Sequence, residues 1–508
     1  MTSRRLAVFL AIIALPLTSG VRIANAQLGQ NGSPIQTSRY AVDLFQGPVL
    51  ASTRVIGMGG AYVAIAERVE GSFYNPAAPA VRTPWSTSAV DYDASLGLTS
   101  PGTIQRSDFF NSGSDRTKLT ASYADDFVFL DAEGQLQIDE WGFGATLALQ
   151  QYNLRRDVSA TESAQKDKLK ADILVFQFQA ARTTANGQLV LGVGFRPTVL
   201  NVLKESPSET GSQDLFSTEG IGYSAGFLWR PNELPIRVGA AFNSAVKTRV
   251  NLANTKVAID EAGNRVLASG TPDEMYLPER VALPWEFDLG FAVQFGARPF
   301  NPRWVGPTQL LLPLRRRLEW RRLERERKRQ RMLAAVAGKP REQERLAQNL
   351  ERKQSVAEAE DEAELERAKV EVHRTLRQRE QSLGRWYILI ATSLKVSGPV
   401  TNGVGIESFL QRAVDQSGRR PVLSPHLGLE SEVISNWLKL RAGLYGEPTR
   451  FENASAAPRL HTTVGFEQKL FAWRVFGLYS EKREWRITGA ADFSVRYFGW
   501  SASVGIWH

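Results

Sequence analysis

The side chains best suited to chemistry are few and scattered along this sequence. It contains four histidines, none spaced to share a metal ion, and no cysteine. We therefore predict no metal site, no disulfide and no thiol nucleophile. His426 and His461 lie on predicted strands with Glu430 nearby, but no serine motif accompanies them. Because a Ser–His–acid triad needs all three groups within hydrogen-bond reach, an enzyme is the last of three functional hypotheses, and we assign no catalytic residue and no cofactor.

Three glycines near the N-terminus form a second candidate motif. Gly57, Gly59 and Gly60 are spaced somewhat like a dinucleotide-binding loop, but Tyr62 stands where that loop requires glycine. No βαβ pattern follows the motif. Glycine permits left-handed backbone and a close approach of neighbouring chain, so these residues predict a compact turn.

A second turn follows at Asn75, Pro76 and Ala77. Pro76 fixes its own φ and keeps Asn75 extended, and the amide of Asn75 can donate and accept hydrogen bonds in a polar interior. Together with the glycines, these residues predict a compact plug. Two interpretations stay open, because the motif could only fold the plug or could also contact a ligand.

The elements that must hold this plug are strands. Apolar residues alternate with small or polar ones through most of the chain, as in Leu289, Phe291 and Phe295 against Asp288 and Gln294. Such alternation fits either a soluble sandwich with its apolar face inside or a membrane barrel with that face towards lipid. A signal peptide at residues 1–26, ending Ala24-Asn25-Ala26, favours the exported barrel.

We predict an all-β fold, a 14-stranded antiparallel transmembrane β-barrel with an N-terminal plug and a helical periplasmic insertion. Short turns are expected on the periplasmic side at residues 230–235, 435–436 and 471–473, and long outer connections at 200–219, 251–285 and 399–421. The predicted strands begin near Ser86, Lys118, Trp141, Asp172, Gln188, Gly220, Pro235, Glu286, Trp386, Val422, Asn436, Arg459, Arg474 and Ala491.

The predicted organisation is a signal peptide (1–26), a plug (27–85), barrel strands 1–8 (86–312), a charged helical insertion (313–385) and strands 9–14 (386–508). Residues 315–385 contain 21 Lys/Arg and 14 Asp/Glu, so most of the net charge of +9 lies there. The basic character is therefore local and does not indicate nucleic-acid binding. A break at residues 338–340 predicts two helices, which are either a solvated insertion or a docking arm for a periplasmic protein or the cell wall.

The segment from Gly57 to Ala77, with its Gly-Met-Gly-Gly-Ala and Tyr-Asn-Pro-Ala motifs, resembles the N-terminal plug of the FadL/TodX family of outer-membrane transporters. Related barrels, including PorV-like proteins, share much the same opening. The resemblance implies location in the Gram-negative outer membrane, contact with its lipid and lipopolysaccharide, and passive uptake of hydrophobic small molecules such as fatty acids or aromatic hydrocarbons. The alternative is a PorV-like assembly barrel that docks a periplasmic or surface protein through the helical insertion.

Gly142 and Gly144 begin a predicted strand with the sequence Trp-Gly-Phe-Gly. Glycine weakens a strand because it has no side chain to pack. We therefore predict a lateral opening of the barrel wall at these two residues.

Overall fold

The computed structural model describes residues 28–86, 88–101, 108–113, 122–156, 168–205, 212–252, 257–267, 275–452, 457–470 and 484–506. The predicted signal peptide, its cleavage site and the predicted turn at residues 471–473 lie outside these ranges. None of the helices within them has the length and apolar character needed to cross a bilayer.

A closed antiparallel barrel of fourteen strands forms the body of the protein, as predicted. Each strand pairs with its neighbour in sequence, and the first pairs with the last, so all edges are closed. The strands are β1 (Val90–Pro101), β2 (Ser122–Ile138), β3 (Trp141–Arg156), β4 (Lys168–Thr184), β5 (Leu189–Glu205), β6 (Ser212–Trp229), β7 (Ile236–Asn243), β8 (Glu286–Gly296), β9 (Tyr387–Ser397), β10 (Val422–Ile434), β11 (Leu438–Glu447), β12 (Arg459–Lys469), β13 (Trp485–Ser494) and β14 (Tyr497–Ile506).

The apolar face of the strands points outwards. On β8, Leu289 and Phe291 are exposed, whereas Asp288 and Gln294 are buried inside the barrel. A soluble protein would bury the apolar face, so the alternation found in the sequence takes the orientation of a membrane-spanning barrel.

Two predicted strand starts are wrong for identifiable reasons. The strand predicted to begin at Gly220 begins at Ser212. A register shift opposite Val202 interrupts the alternation of apolar and polar residues, so the sequence pattern does not reveal the first part of this strand. The strand predicted at Ala491 begins at Tyr497, after a tight turn in which Arg496 has φ 59° without a glycine or asparagine to mark it. The long outer connection predicted at 200–219 is consequently mostly strand.

The connections define two ends of the barrel. At the short-turn end, residues 139–140, 185–188, 230–235 and 435–437 join consecutive strands. The end of β12 and the start of β13 also lie at this end. The strand starts predicted near Lys118 and Arg474 lie outside the described residues. At the opposite, long-loop end, extended connections follow β7 and β9.

A helical hairpin follows β8 at the short-turn end. It consists of α2 (Pro307–Ala335) and α3 (Pro340–Ser382), which are separated at the predicted break. The first helix starts six residues before the predicted Pro313, because Pro307 occupies its first turn. Ion pairs join the helices, with an Arg321–Glu364 distance of 2.7 Å, and at 1.5 Å per residue they are about 44 and 65 Å long.

The N-terminal residues cross the long-loop end before the plug begins. Ala41–Asp43 pairs in parallel with Arg280–Leu283 on one side and Gly403–Gly405 on the other. A short helix, α4 (Ile406–Gln411), follows the last of these strands. The N-terminal strand therefore ties together the two longest connections of this end.

Candidate functional site: the plug and the lumen cavity

Residues 44–85, here called the plug, run through the lumen towards the short-turn end. The first helix, α1 (Thr53–Gly57), is buried at every residue and ends at the predicted glycine turn. Gly59 and Gly60 have φ of 59° and 77°. A side chain on Gly59 would lie 2.9 Å from the backbone nitrogen of Leu444, so both the conformation and the close contact with β11 require glycine.

Asn75 joins the second plug turn to the wall. Its side-chain amide donates hydrogen bonds to the carbonyl oxygens of Val63 (2.8 Å) and Phe227 on β6 (3.1 Å), and its side-chain oxygen accepts one from the nitrogen of Ala77 (3.0 Å). The carbonyl of Pro76 lies 2.0 Å from where a side chain on Gly192 would begin. These contacts seat the second turn of the plug against β5 and β6.

Gly142 and Gly144 face the plug. A side chain on Gly142 would begin 2.1 Å from the backbone of Pro79, and one on Gly144 would begin 2.9 Å from the Pro79 ring. Strand β3 pairs with both neighbours from Trp141 onwards, and the first register shift comes only at Asn153, far from these glycines. This continuous pairing counts against a gap in the wall at these residues, and the contacts give both glycines a packing role.

Buried charges tie the plug to the wall. Glu430 on β10 accepts hydrogen bonds from Arg54 of the plug, at 2.7 and 2.8 Å, and from Arg441 on β11 at 2.5 Å. Tyr387 on β9 donates a further hydrogen bond to this carboxylate at 2.6 Å. All four side chains are almost completely removed from solvent.

Two further carboxylates extend these contacts across the lumen. Glu67 of the plug lies 2.9 Å from Arg237 and 3.0 Å from Arg298. Burial disfavours the charged form of Glu67, but Arg298, Arg237 and Arg54 outweigh it and hold the pKa of Glu67 well below its ordinary value. Glu467 on β12 forms ion pairs with four cations, which are Arg68, Lys439, Arg441 and Arg486. The whole charged network comprises Glu67, Glu430, Glu467, Arg54, Arg68, Arg237, Arg298, Lys439, Arg441 and Arg486.

A cavity of about 160 Å³ lies above this network, towards the long-loop end. One side is formed by residues 44–50, here called the strap, and the other by the wall and by Phe73 and Tyr74 of the plug. Its apolar lining consists mainly of Phe45, Leu50, Phe73, Phe129, Val175 and Leu283. Its polar lining includes Gln150, Gln177, Arg196, Glu286, Asp288, Lys395 and His426.

The charges at the cavity are only partly paired. Lys395 lies 3.6 Å from Glu286. Within the described residues, the buried Nε of Arg196 has no hydrogen-bond partner, and Asp288 makes no ion pair within 4 Å. The cavity therefore offers an apolar surface together with an arginine whose Nε lacks a hydrogen bond and a buried carboxylate without a direct ion pair.

The two strand histidines also face the lumen, and among the described residues neither ring is hydrogen-bonded to a serine. His426 Nδ1 lies 2.7 Å from the carbonyl oxygen of Gly59, which fastens the glycine turn to β10. His461 lies between Asp492 (2.8 Å) and Glu447 (2.7 Å). The hydrogen bonds of these rings go to plug backbone and to wall carboxylates, and both rings stack on Tyr445, so their contacts join the plug to the wall.

Sequence reasoning did not find the charged network or the cavity. Arg54 and Glu430 are 376 residues apart in the chain, and nothing local to either marks the other as its partner. A usable signal was the presence of Lys and Arg at strand positions predicted to face inwards, such as Lys439 and Arg441, because such charges require partners inside a barrel.

No family model matches the chain, and no curated protein matches its sequence. Solved structures that it resembles include a FadL homologue of Pseudomonas aeruginosa (12% identity, 91% of this chain and 99% of that chain covered, TM-score 0.46). Others are the monoaromatic hydrocarbon channel CymD (10%, 91% and 97%, TM-score 0.45) and the Pseudomonas putida toluene transporter TodX (12%, 92% and 98%, TM-score 0.43). The fold itself rests on the strand pairing described above.

Replacing Glu430 with glutamine should lower the free energy of unfolding by about 3–5 kcal/mol, because Arg54 and Arg441 lose a buried counter-charge. The measurement is urea unfolding of the purified barrel. The control is Glu452→Gln, whose partner Arg419 lies 3.1 Å away on the surface and is 43% exposed; about 1 kcal/mol or less is expected there. Equal losses in the two variants would contradict the importance of the network.

Replacing Gly142 with alanine should destabilise the protein by about 1–3 kcal/mol, because the new methyl group would overlap Pro79 of the plug. Gly134→Ala is the matched control, since the nearest atom to its new side chain is 4.0 Å away; a change within about 0.5 kcal/mol is expected. Single-channel conductance gives a second measurement, and it should rise only in the Gly142 variant if the plug shifts. Unchanged stability and conductance would remove the packing role of this glycine.

Proposed function

We propose that this protein is an outer-membrane channel that takes up small hydrophobic molecules through a plugged barrel. The observation that carries the proposal is the lumen cavity between the strap and the wall. The outward apolar face of the barrel supports a membrane location, and the FadL/TodX-like plug motif agrees with this function. A ligand would reach the cavity from the long-loop end and would have to pass the plug to leave at the other end.

The size and lining of the cavity favour one class among the hydrophobic compounds. A cavity of about 150 Å³ lined by apolar side chains holds one benzene ring, and this one measures about 160 Å³. A long fatty-acid chain would not fit within that volume. Because Arg196 and Asp288 also face it, the best match is a single aromatic ring that carries a polar substituent.

Two anchors hold the strap at its ends. Asp43, just before it, accepts hydrogen bonds from Arg450 (2.9 Å) and Ser417 (2.8 Å), and Arg54 lies in the charged network after it. Between these points the strap itself is held mainly by neutral contacts, such as the hydrogen bond from Gln46 to Tyr152 at 2.6 Å. Of the residues that fill the lumen, the strap is therefore the segment that a ligand would displace with the smallest cost in free energy.

Ala148→Leu should abolish most of the binding, because Ala148 lines the cavity and a larger side chain fills it. Binding of toluene, benzyl alcohol and oleate to the purified barrel is measured by calorimetry, and uptake is measured in cells that lack the native gene. Ala145→Leu is the matched control, because that residue lies on the same strand but is exposed.

Saturable binding of benzyl alcohol that is lost in Ala148→Leu and kept in Ala145→Leu would support the channel. Absence of binding across the panel, with unchanged uptake, would contradict it. Tighter binding of oleate than of the aromatic compounds would instead point to a fatty-acid channel with a different site.

The second candidate function is docking, and the charge of the hairpin favours it. The first helix, α2, contains ten basic and three acidic residues, whereas α3 contains nine basic and eleven acidic ones. Within the described residues, seven of the basic side chains of α2 make no ion pair, and Trp320 is 69% exposed. A strongly acidic periplasmic protein would fit this helix.

Replacing Arg315, Arg316 and Arg317 with glutamine should release such a protein from the purified complex, because each exposed arginine contributes to a salt-sensitive attraction. The control replaces three arginines of α3 with glutamine, at Arg341, Arg345 and Arg352. Co-purification from cells at low and high salt is the measurement. Equal retention in both triple variants would contradict docking through α2.

A further inference from the structure

A second cavity, of about 260 Å³, lies at the short-turn end, away from the lumen cavity. The turn after β2, the turn after β4, the end of the plug and the root of the hairpin meet around it. Its charged lining consists of Arg82, Arg182, Arg230, Arg303, Asp139 and Glu140. Four separate parts of the protein, namely the plug, β4, the turn after β6 and the hairpin root, thus contribute one cation each.

None of these four arginines has a carboxylate partner within 4 Å in the described part of the chain. Arg82 is 5% exposed and donates hydrogen bonds to the carbonyl oxygens of Asp139 (2.9 Å), Ser88 (2.8 Å) and Ala89 (2.6 Å). Arg230 is 2% exposed and donates from Nε to the carbonyl of Gly187 at 2.8 Å. Carbonyl oxygens accept hydrogen bonds from a guanidinium group, but they do not neutralise its positive charge.

Burial disfavours the charged form of both deep arginines, although Asp91 and Asp139 lie near Arg82 and Glu67 lies near Arg230. Burial lowers the pKa of Arg82 to about 10. Burial, together with the nearby Arg237, lowers the pKa of Arg230 to about 9. A bound anion would relieve this cost, because an opposite charge nearby favours the charged form.

The outer part of the cavity is open to incoming groups. Arg182 and Arg303 are exposed at its rim, and the guanidinium carbon of Arg182 lies 5.1 Å from the ring centre of Trp141. Trp141 is itself exposed on the outer surface of the barrel, where tryptophan commonly marks the lipid headgroup level. Glu140 and Asp139 also face the cavity, so the cations exceed the acids by four to two.

We propose that this cavity binds a phosphate group, with Arg230, Arg182 and Arg303 as its ligands and Arg82 as a fixed positive charge behind them. Forked guanidinium donors match the oxygens of phosphate, and four arginines line this cavity. The phosphate could belong to free inorganic phosphate or to a phospholipid headgroup. Bound there, it would join the plug, the wall turns and the hairpin root.

The test uses the purified full-length protein in a non-ionic detergent at constant ionic strength. Inorganic phosphate and a short-chain phosphatidylglycerol are titrated separately, with sodium chloride and a phosphate-free glycerol ester as controls. Calorimetry gives the dissociation constant, and the melting temperature gives an independent readout. Each probe is tested on the wild type, on Arg182→Gln/Arg303→Gln and on Arg230→Gln.

Saturable binding is expected, with about tenfold or greater weakening in Arg182→Gln/Arg303→Gln, since charge-assisted hydrogen bonds are lost. These two side chains are exposed, so the double variant should fold even if Arg230→Gln does not. The matched control is Arg419→Gln/Arg420→Gln, which removes two exposed arginines at the long-loop end and should bind like the wild type. Binding of inorganic phosphate identifies the free ion as sufficient, and binding of the lipid alone identifies the headgroup. The proposal would be overturned if neither probe bound saturably, or if the two double variants bound the probes equally well.

Discussion

The arrangement of the lumen depends on the buried ion pairs between the plug and the wall. An isolated buried ion pair adds little stability, because removing both charges from water costs about as much as their attraction returns. Its effect on position is much stronger. If the plug moved by a few ångströms, Arg54 would leave Glu430 and Glu67 would leave Arg237 and Arg298, and each separation would strand a charge in a low-dielectric interior. The network therefore holds the lower plug at one depth and one rotation within the barrel.

The inner face of the barrel wall matches the shape of the plug, and the ion pairs of the charged network hold the plug in place. Inward-facing positions that meet plug backbone carry glycine, as at Gly142 beside Pro79, Gly192 beside Pro76 and Gly443 beside Gly59. Charges fix the position and glycines allow the close approach, so the two features depend on each other. Glu70 of the plug lies buried between two groups of charges. It is near Asp131 and Glu133 of β2, and it also faces Arg54 and Arg68 of the charged network.

Much of the fold could be predicted from the sequence because each strand carries its own evidence. Alternation along a strand such as β8 needs no knowledge of its neighbours, and the count of fourteen follows once each segment is recognised. The errors arose where local evidence is missing, at the register shift opposite Val202 and at the turn formed by Arg496. The plug motif was found because its glycines and Pro76 have strict backbone requirements. The network, the lumen cavity and the arginine cavity were not found, because they join residues from distant parts of the chain whose meeting depends on the register of the closed barrel.

The position of the anchors explains why a cavity exists at all. From Arg54 onwards, the plug is held by charges and fills the lumen tightly, whereas the strap before it crosses from Asp43 on the long-loop side with mainly neutral contacts. A filled lower lumen and a loosely filled upper lumen suit the channel proposed above, because the upper part can admit a molecule while the lower part keeps the pathway shut. Transport past the plug would then require more than ligand binding in the cavity. For the channel proposed above, the energy needed to separate the network exceeds what a single aromatic ring could supply by burial, about 2–3 kcal/mol for a side chain of that size, so ligand binding alone would leave the plug in place.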